Sequence, residues 1–246
     1  MKVLEIFGHR TTDMNIIVRP YGSEFCHCRP DTTWERENKD FYSPECVNEI
    51  WWTPVVFARV CKAGKCVGNK FVGRYYDGVG CGMLMYGAVS QPEASIGPLP
   101  LYEWAPPPTR GWENANSGHQ AALTETRQAL VSCIDRSSIF PMPLYNPCVM
   151  DGCEGFSVRI GYGKSVEGNG QCEISLCHIL PTEQGEWKEL LEETICKASE
   201  LTSLRIGDFV AVELEGMKRL ASKEAGTTSV KGTFCENEIF DFNVIF

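Results

Sequence analysis

Residues 29–65 read RPDTTWERENKDFYSPECVNEIWWTPVVFARVCKAGK, and the second half of that stretch decides the fold. Pro54 to Val60, PVVFARV, is apolar and rich in β-branched residues, the composition that suits a pleated, buried surface. Lys62-Ala63-Gly64-Lys65 then reads as a turn, with Cys66 to Val72 returning, so the segment predicts a hairpin. On the upstream side, Arg29-Pro30-Asp31-Thr32-Thr33 combines a fixed proline φ with short polar side chains that bond their own backbone, which marks a break in the chain before the strand.

Further strand signals lie on both sides. Met1 to Phe7 alternates and is closed by Gly8 and HRTTD; Asn15 to Val18 is a second short strand, and Pro20 and Gly22 punctuate the path onward. Downstream, Arg74-Tyr75-Tyr76-Asp77 leads into an apolar strand from Val79 to Tyr86. Gln91 to Asn116 is loop-like, because its prolines at 92, 98, 100 and 106–108 disfavour helix interiors and central strands. Ala121 to Ile134 fits helix or strand, and periodicity does not choose between them. After the turn-rich Pro141 to Gly155, Phe156 to Ile160 alternates as a strand, as does Ile239 to Phe246 at the end. One helix is clear: Glu186 to Leu201 puts Trp187, Leu190, Leu191, Ile195 and Ala198 on one face, so it should lie against a sheet. The pattern predicts a mainly β (α+β) fold with a few helices, in one domain spanning residues 1–246.

Composition narrows the functional classes. The 246-residue chain is long enough for a sizeable core, and its 23 basic against 32 acidic residues, with no Lys/Arg block, argue against binding nucleic acid through phosphates. Apolar runs such as Pro54 to Ala58 and Phe209 to Leu214 are far shorter than the ~20 residues of a membrane helix. The N-terminus lacks a secretory apolar core and cleavage site, so a cytoplasmic location is expected. The 13 cysteines are odd in number and scattered. Cys26-His27-Cys28, Cys61 to Cys66 and Cys148 to Cys153 invite a zinc reading, but none is a CxxC pair, and reduced, buried thiols are the better expectation.

Taken in order, these segments resemble the fumarylacetoacetate hydrolase superfamily. Arg29-Pro30-Asp31-Thr32-Thr33 is similar to that family's K-P-D-S/T-S opening, and Thr53 to Val60 to its E-x-E-L-x-V-V strand. Arg74 to Asp77 is similar to R-Y-Y-D, Trp112-Glu113 to the start of W-E-x-x-K-x-x-D, and Lys164 to Asn169 to G-K-x-V-Q-E-G-N. Leu204 to Asp208 is similar to L-K-x-G-D, after which the family's T-G-T-P falls on Val212-Glu213-Leu214-Glu215. No gap is needed from Thr53 to Gln91. The resemblance implies a fumarylacetoacetate-hydrolase-like mixed β-roll, usually dimeric, with residues 29–246 as the family-like core and 1–28 as a divergent segment.

The resemblance also implies a chemistry, hydrolysis, decarboxylation or isomerisation of oxo-acids on Mg²⁺ or Mn²⁺ held by two glutamates and an aspartate. Those three positions fall here on Thr53, Val55 and Leu84, a hydroxyl and two alkyl groups. A hard divalent cation takes charged oxygen ligands, so no metal cofactor is expected. The family's lysine falls on Asn116 and its aspartate on His119, and its His-x-x-Glu pair has no counterpart, since His9-Arg10-Thr11-Thr12 ends in threonine. The cleft would then be lined by Arg29, Tyr86, Gln91, Asn116 and His119. Two readings follow. One is a degenerate family member that binds a small carboxylate or pairs with a second copy as a homodimer. The other is a diverged, metal-free hydrolase or lyase using His119 with Glu113 or Glu213 as acid–base groups.

Overall fold

The computed structural model describes residues 14–92, 126–150, 155–162, 173–178 and 186–246. Two long antiparallel strands form its spine: β5 (Val47–Val60) and β6 (Tyr76–Pro92), paired from Val47↔Val89 to Val60↔Tyr76. Neither edge of this pair has a single neighbour. β11 (Phe209–Glu213) lies on β5 from Arg59 to Val55, and β12 (Lys218–Ser222) takes over from Trp52 to Glu49. On the β6 edge, β8 (Ser138–Ile139) pairs at Met83–Leu84 and β7 (Thr126–Val131) at Gly87–Pro92. β1 (Ile16–Arg19) runs parallel to β11, β2 (His27–Arg29) antiparallel to β1, and β3 (Trp34–Glu35) parallel to β8. A second sheet has the order β10 (Glu173–His178), β9 (Phe156–Tyr162), β13 (Thr228–Phe234), β14 (Asn237–Ile245), β4 (Phe41–Tyr42).

Alternation along β5 divides the interior in two. Trp52, Val56, Ala58 and Val60 share a core with Trp187, Leu191, Ile195 and Ala198 of the helix Glu186–Leu201 and with the second sheet. Val55 and Phe57, with Leu84, Tyr86, Phe209, Ala211, Ile16 and Val18, form a separate core on the opposite face. Glycines on β6 make room for that second core. A Cβ on Gly82 would lie 2.2 Å from the Ile139 carbonyl oxygen, so only glycine lets β8 dock there.

The helix Glu186–Leu201 and the mainly β architecture agree with the sequence expectation. Asn15 to Val18 forms as Ile16–Arg19, the ambiguous 121–134 segment contains a strand at Thr126–Val131, and the final strand is Asn237–Ile245. The hairpin needs correction: Cys66 to Val72 does not return as a strand, and β6 does so from Tyr76. The intervening backbone instead bonds to the end of the long helix, where Cys66 N donates to Ser199 O and Val67 N to Ser199 Oγ, while Gly64 bridges Leu204. The segment then turns through a 3₁₀ helix, Asn69–Arg74. The described cysteines are free thiols, but Cys28, Cys46, Cys66, Cys133 and Cys148 are exposed rather than buried. Cys28 lies on the edge strand His27–Arg29, Cys148 in the short helix Pro147–Met150, and the other three in connections. The proposed strand Met1 to Phe7 and the turn Lys164 to Asn169 lie outside the described residues.

Candidate functional site

The second core gathers the residues that the resemblance assigns to the site. Thr53 and Val55 are two apart on β5, Leu84 pairs with Thr53 across to β6, and Glu213 pairs with Val55 across to β11. Paired residues share a face, so these four side chains converge from three strands. Thr53, Val55 and Leu84 are each 0% exposed. Phe57 stacks on Phe140 with centroids 4.3 Å apart, and Phe209 meets both rings edge-on. The Thr53 hydroxyl is already used, donating to the Glu215 carbonyl at 2.7 Å.

The start of β11 is set by Gly207 and Asp208. Gly207 has φ +98°, which favours glycine, and buried Asp208 accepts from the backbone N–H of Asn15 (2.8 Å) and of Arg205 (2.7 Å). This fixes β11 against β1 and thereby aims Glu213 into the face.

Three buried polar side chains complete it. Arg29, 2% exposed at the end of β2, donates from Nη1 to Ser138 Oγ (2.8 Å) and Ser137 O (3.3 Å), and from Nη2 to Met85 O. Its guanidinium carbon sits 4.7 Å from the centroid of the Tyr86 ring. The Tyr86 hydroxyl donates to Glu213 Oε1, and Glu213 Oε2 accepts the Tyr21 backbone N–H at 3.0 Å. Burial raises the Glu213 pKa; the Tyr86 and Tyr21 hydrogen bonds and the Arg29 charge oppose it. Burial, and then the neighbouring carboxylate, hold the Tyr86 pKa well above the usual phenol value, so the phenol keeps its proton and donates.

These residues do not fit a hard divalent cation. Val55 and Leu84 offer no donor, Thr53 Oγ is committed to Glu215, and Glu213 contributes a single carboxylate already bonded on both oxygens. Among the described residues no three His, Cys, Asp or Glu side chains converge as a ligand set, and Cys26-His27-Cys28 and Cys61 to Cys66 form none.

Of the site residues expected from sequence, Thr53, Val55 and Leu84 come together, and Arg29, Tyr86 and Glu213 join in one network beside them. Arg29 and Tyr86 are enclosed rather than open to solvent. Gln91 pairs through its backbone with Arg127 near the end of β6. Glu113, Asn116 and His119 lie outside the described residues. Sequence reasoning missed Ser137, Ser138, Phe140 and the Tyr21 amide. They carry no motif, and only the pairing of β8 with β6 and of β1 with β11 brings them here.

No family model and no curated protein matches the sequence. Solved structures do match in fold. A protein of the fumarylacetoacetate hydrolase family from Yersinia pestis CO92 superposes with a TM-score of 0.57 at 13% identity, covering 95% of this chain and 93% of that one. The 5-carboxymethyl-2-hydroxymuconate delta-isomerase of Mycobacterium smegmatis gives 0.55 at 11% identity, over 95% of this chain and 76% of that one. Fumarylpyruvate hydrolase from Pseudomonas aeruginosa, solved with Mn²⁺ and pyruvate, gives 0.52 at 13% identity, over 99% and 100%. The chain therefore has the fumarylacetoacetate-hydrolase-like fold over nearly its whole length. Among the described residues no helix is long and apolar enough to cross a membrane.

Proposed function

We propose that this chain is a divergent, single-domain member of the fumarylacetoacetate hydrolase superfamily that has given up metal-assisted chemistry and works by binding. It would hold a small carboxylate or pair with a second copy as a cytoplasmic homodimer. One observation carries the reading: the positions where the resemblance puts three anionic ligands hold a committed hydroxyl and two alkyl groups, all fully buried, the alkyl groups packed with Phe57, Phe140 and Phe209. Dehydrating a divalent cation costs as much at such a site as at a carboxylate site, with none of the Coulomb attraction that offsets it. Lewis-acid stabilisation of an enolate-like oxygen is lost with the ion.

The test is calorimetric titration of Mn²⁺, and separately of pyruvate as a small-acid probe, into the purified protein, with its mass in solution measured by light scattering. No Mn²⁺ binding below millimolar, together with pyruvate binding or a dimeric mass, supports the reading. Micromolar Mn²⁺ binding overturns it, as does a monomer that binds no acid. The metal-free hydrolase through His119 with Glu113 or Glu213 has its own signature, turnover of an acylpyruvate in the presence of EDTA. To act as its base, Glu213 would have to leave both Tyr86 and the Tyr21 amide.

A further inference from the structure

We infer that Arg29 supplies from within the chain the positive charge that balances Glu213 on this face, with Tyr86 as the connection, so that the face is held together without an added cation. The comparison with a metal rests on the reading proposed above; the charge coupling itself does not.

The guanidinium is buried, and the acceptors it bonds, Ser138 Oγ, Ser137 O and Met85 O, are all neutral. A buried cation surrounded by neutral acceptors needs a nearby anion. Nε is buried with no hydrogen-bond partner, so no carboxylate is engaged there directly. The electron-rich face of Tyr86 lies against the guanidinium instead, and its hydroxyl donates to Glu213. The phenol thus meets the cation with its ring and the anion with its proton. The other titratable groups whose charge acts on Arg29 are Tyr86 itself and Cys133, and Glu213 is the carboxylate among them, both of its oxygens accepting hydrogen bonds as the anion requires. Three residues from β2, β6 and β11, far apart in sequence, are so arranged in series.

The second Glu213 oxygen extends the series to the surface. It takes the Tyr21 N–H and so ties down the loop after β1, whose Tyr21 and Phe25 are 44% and 70% exposed. Weakening the charge on Glu213 should free that amide.

The experiment is a double-mutant cycle of Arg29→Met and Glu213→Gln, read by denaturant unfolding. Each single change should lower the folding equilibrium constant at least tenfold, and the pair should lose at least tenfold less than the product of the two. Losses that multiply within twofold overturn the inference. If Arg29→Met alone does not fold, recovery of folding by Glu213→Gln in the same chain supports it. If neither chain folds, Tyr86→Phe decides. It keeps the ring over Arg29 but removes the hydroxyl, and exchange of the Tyr21 amide should accelerate at least tenfold; unchanged exchange overturns the inference. Micromolar Mn²⁺ binding by the wild type would overturn the proposed function and leave this cycle untouched, so the two failures are distinguishable.

Discussion

Leu84→Asp puts an acid back where the resemblance has a metal ligand, and the structure specifies its cost when compared with Leu84→Ala. Leu84 is fully buried, opposite Thr53 on β5 and against Ser138 on β8. Truncation to alanine removes buried methyl and methylene groups and leaves a cavity, a loss of about 2–5 kcal/mol that does not depend on pH. For a chain of this length that lowers Tm by roughly 4–20 °C, at about 2–4 °C per kcal/mol. The aspartate substitution loses a similar apolar contribution and must also bury a carboxyl near Glu213, which adds about 1–3 kcal/mol even when protonated. Burial and the like charge raise the folded-state pKa of the introduced carboxyl above about 3.9, its unfolded value. The unfolded chain therefore releases its proton first. Stability of Leu84→Asp should fall as pH rises above about 4, by about 1.4 kcal/mol per pH unit until the folded pKa is passed. Urea unfolding of both variants at pH 4.5 and 7.5 measures this. A Leu84→Asp protein within about 1 kcal/mol of wild type at pH 7.5, or one whose loss matches alanine at both pH values, would show that the side chain faces an open cleft and refute the closed-face argument.

Gly82→Ala should destabilise by about 1–3 kcal/mol or more, because the new methyl meets the Ile139 carbonyl oxygen, which as backbone cannot rotate away; Gly216→Ala, with open space around it, should be near neutral in the same thermal melts. Thr53→Val keeps the shape but leaves the Glu215 carbonyl without its partner, so a loss of about 1–3 kcal/mol is expected, with Thr53→Ser losing less. His27 is held neutral by burial first and the Arg29 charge second, its pKa lowered to about 4 from the ordinary 6.5. Below pH 6.5 the unfolded chain takes up a proton that the folded chain refuses, so this contribution is full above 6.5 and declines down to about pH 4. Unfolding titrations of His27→Asn should show a shallower acid decline than wild type over that window, and an identical slope would count against it.

Much of the fold was legible locally. The amphipathic spacing of Glu186 to Leu201 specifies a helix that must bury one face, and the β-branched run at Pro54 to Val60 specifies a strand, because both depend on neighbours within a few residues. The extent of the spine was less accessible. Nothing between Lys62 and Tyr75 announces that Ser199 and Leu204 will take up its backbone, which is why the returning strand starts at Tyr76 and not at Cys66.

The site divides along the same line. By itself the sequence determined which chemical groups stand at positions 53, 55 and 84, and hence that the donors a hard cation requires are missing there, since ligand chemistry is a property of the residue. Tertiary structure alone decided what those residues do instead. The pairing of β5 with β6 and β11 turns Val55 and Leu84 inward under Phe57, Phe140 and Phe209, and stacks Arg29, Tyr86 and Glu213 in series. Residues 29, 86 and 213 have no local relation, so no periodicity or motif could join them. Their contact exists because burial of the strands brings them onto one face, where the low-dielectric interior makes charge balance between them matter.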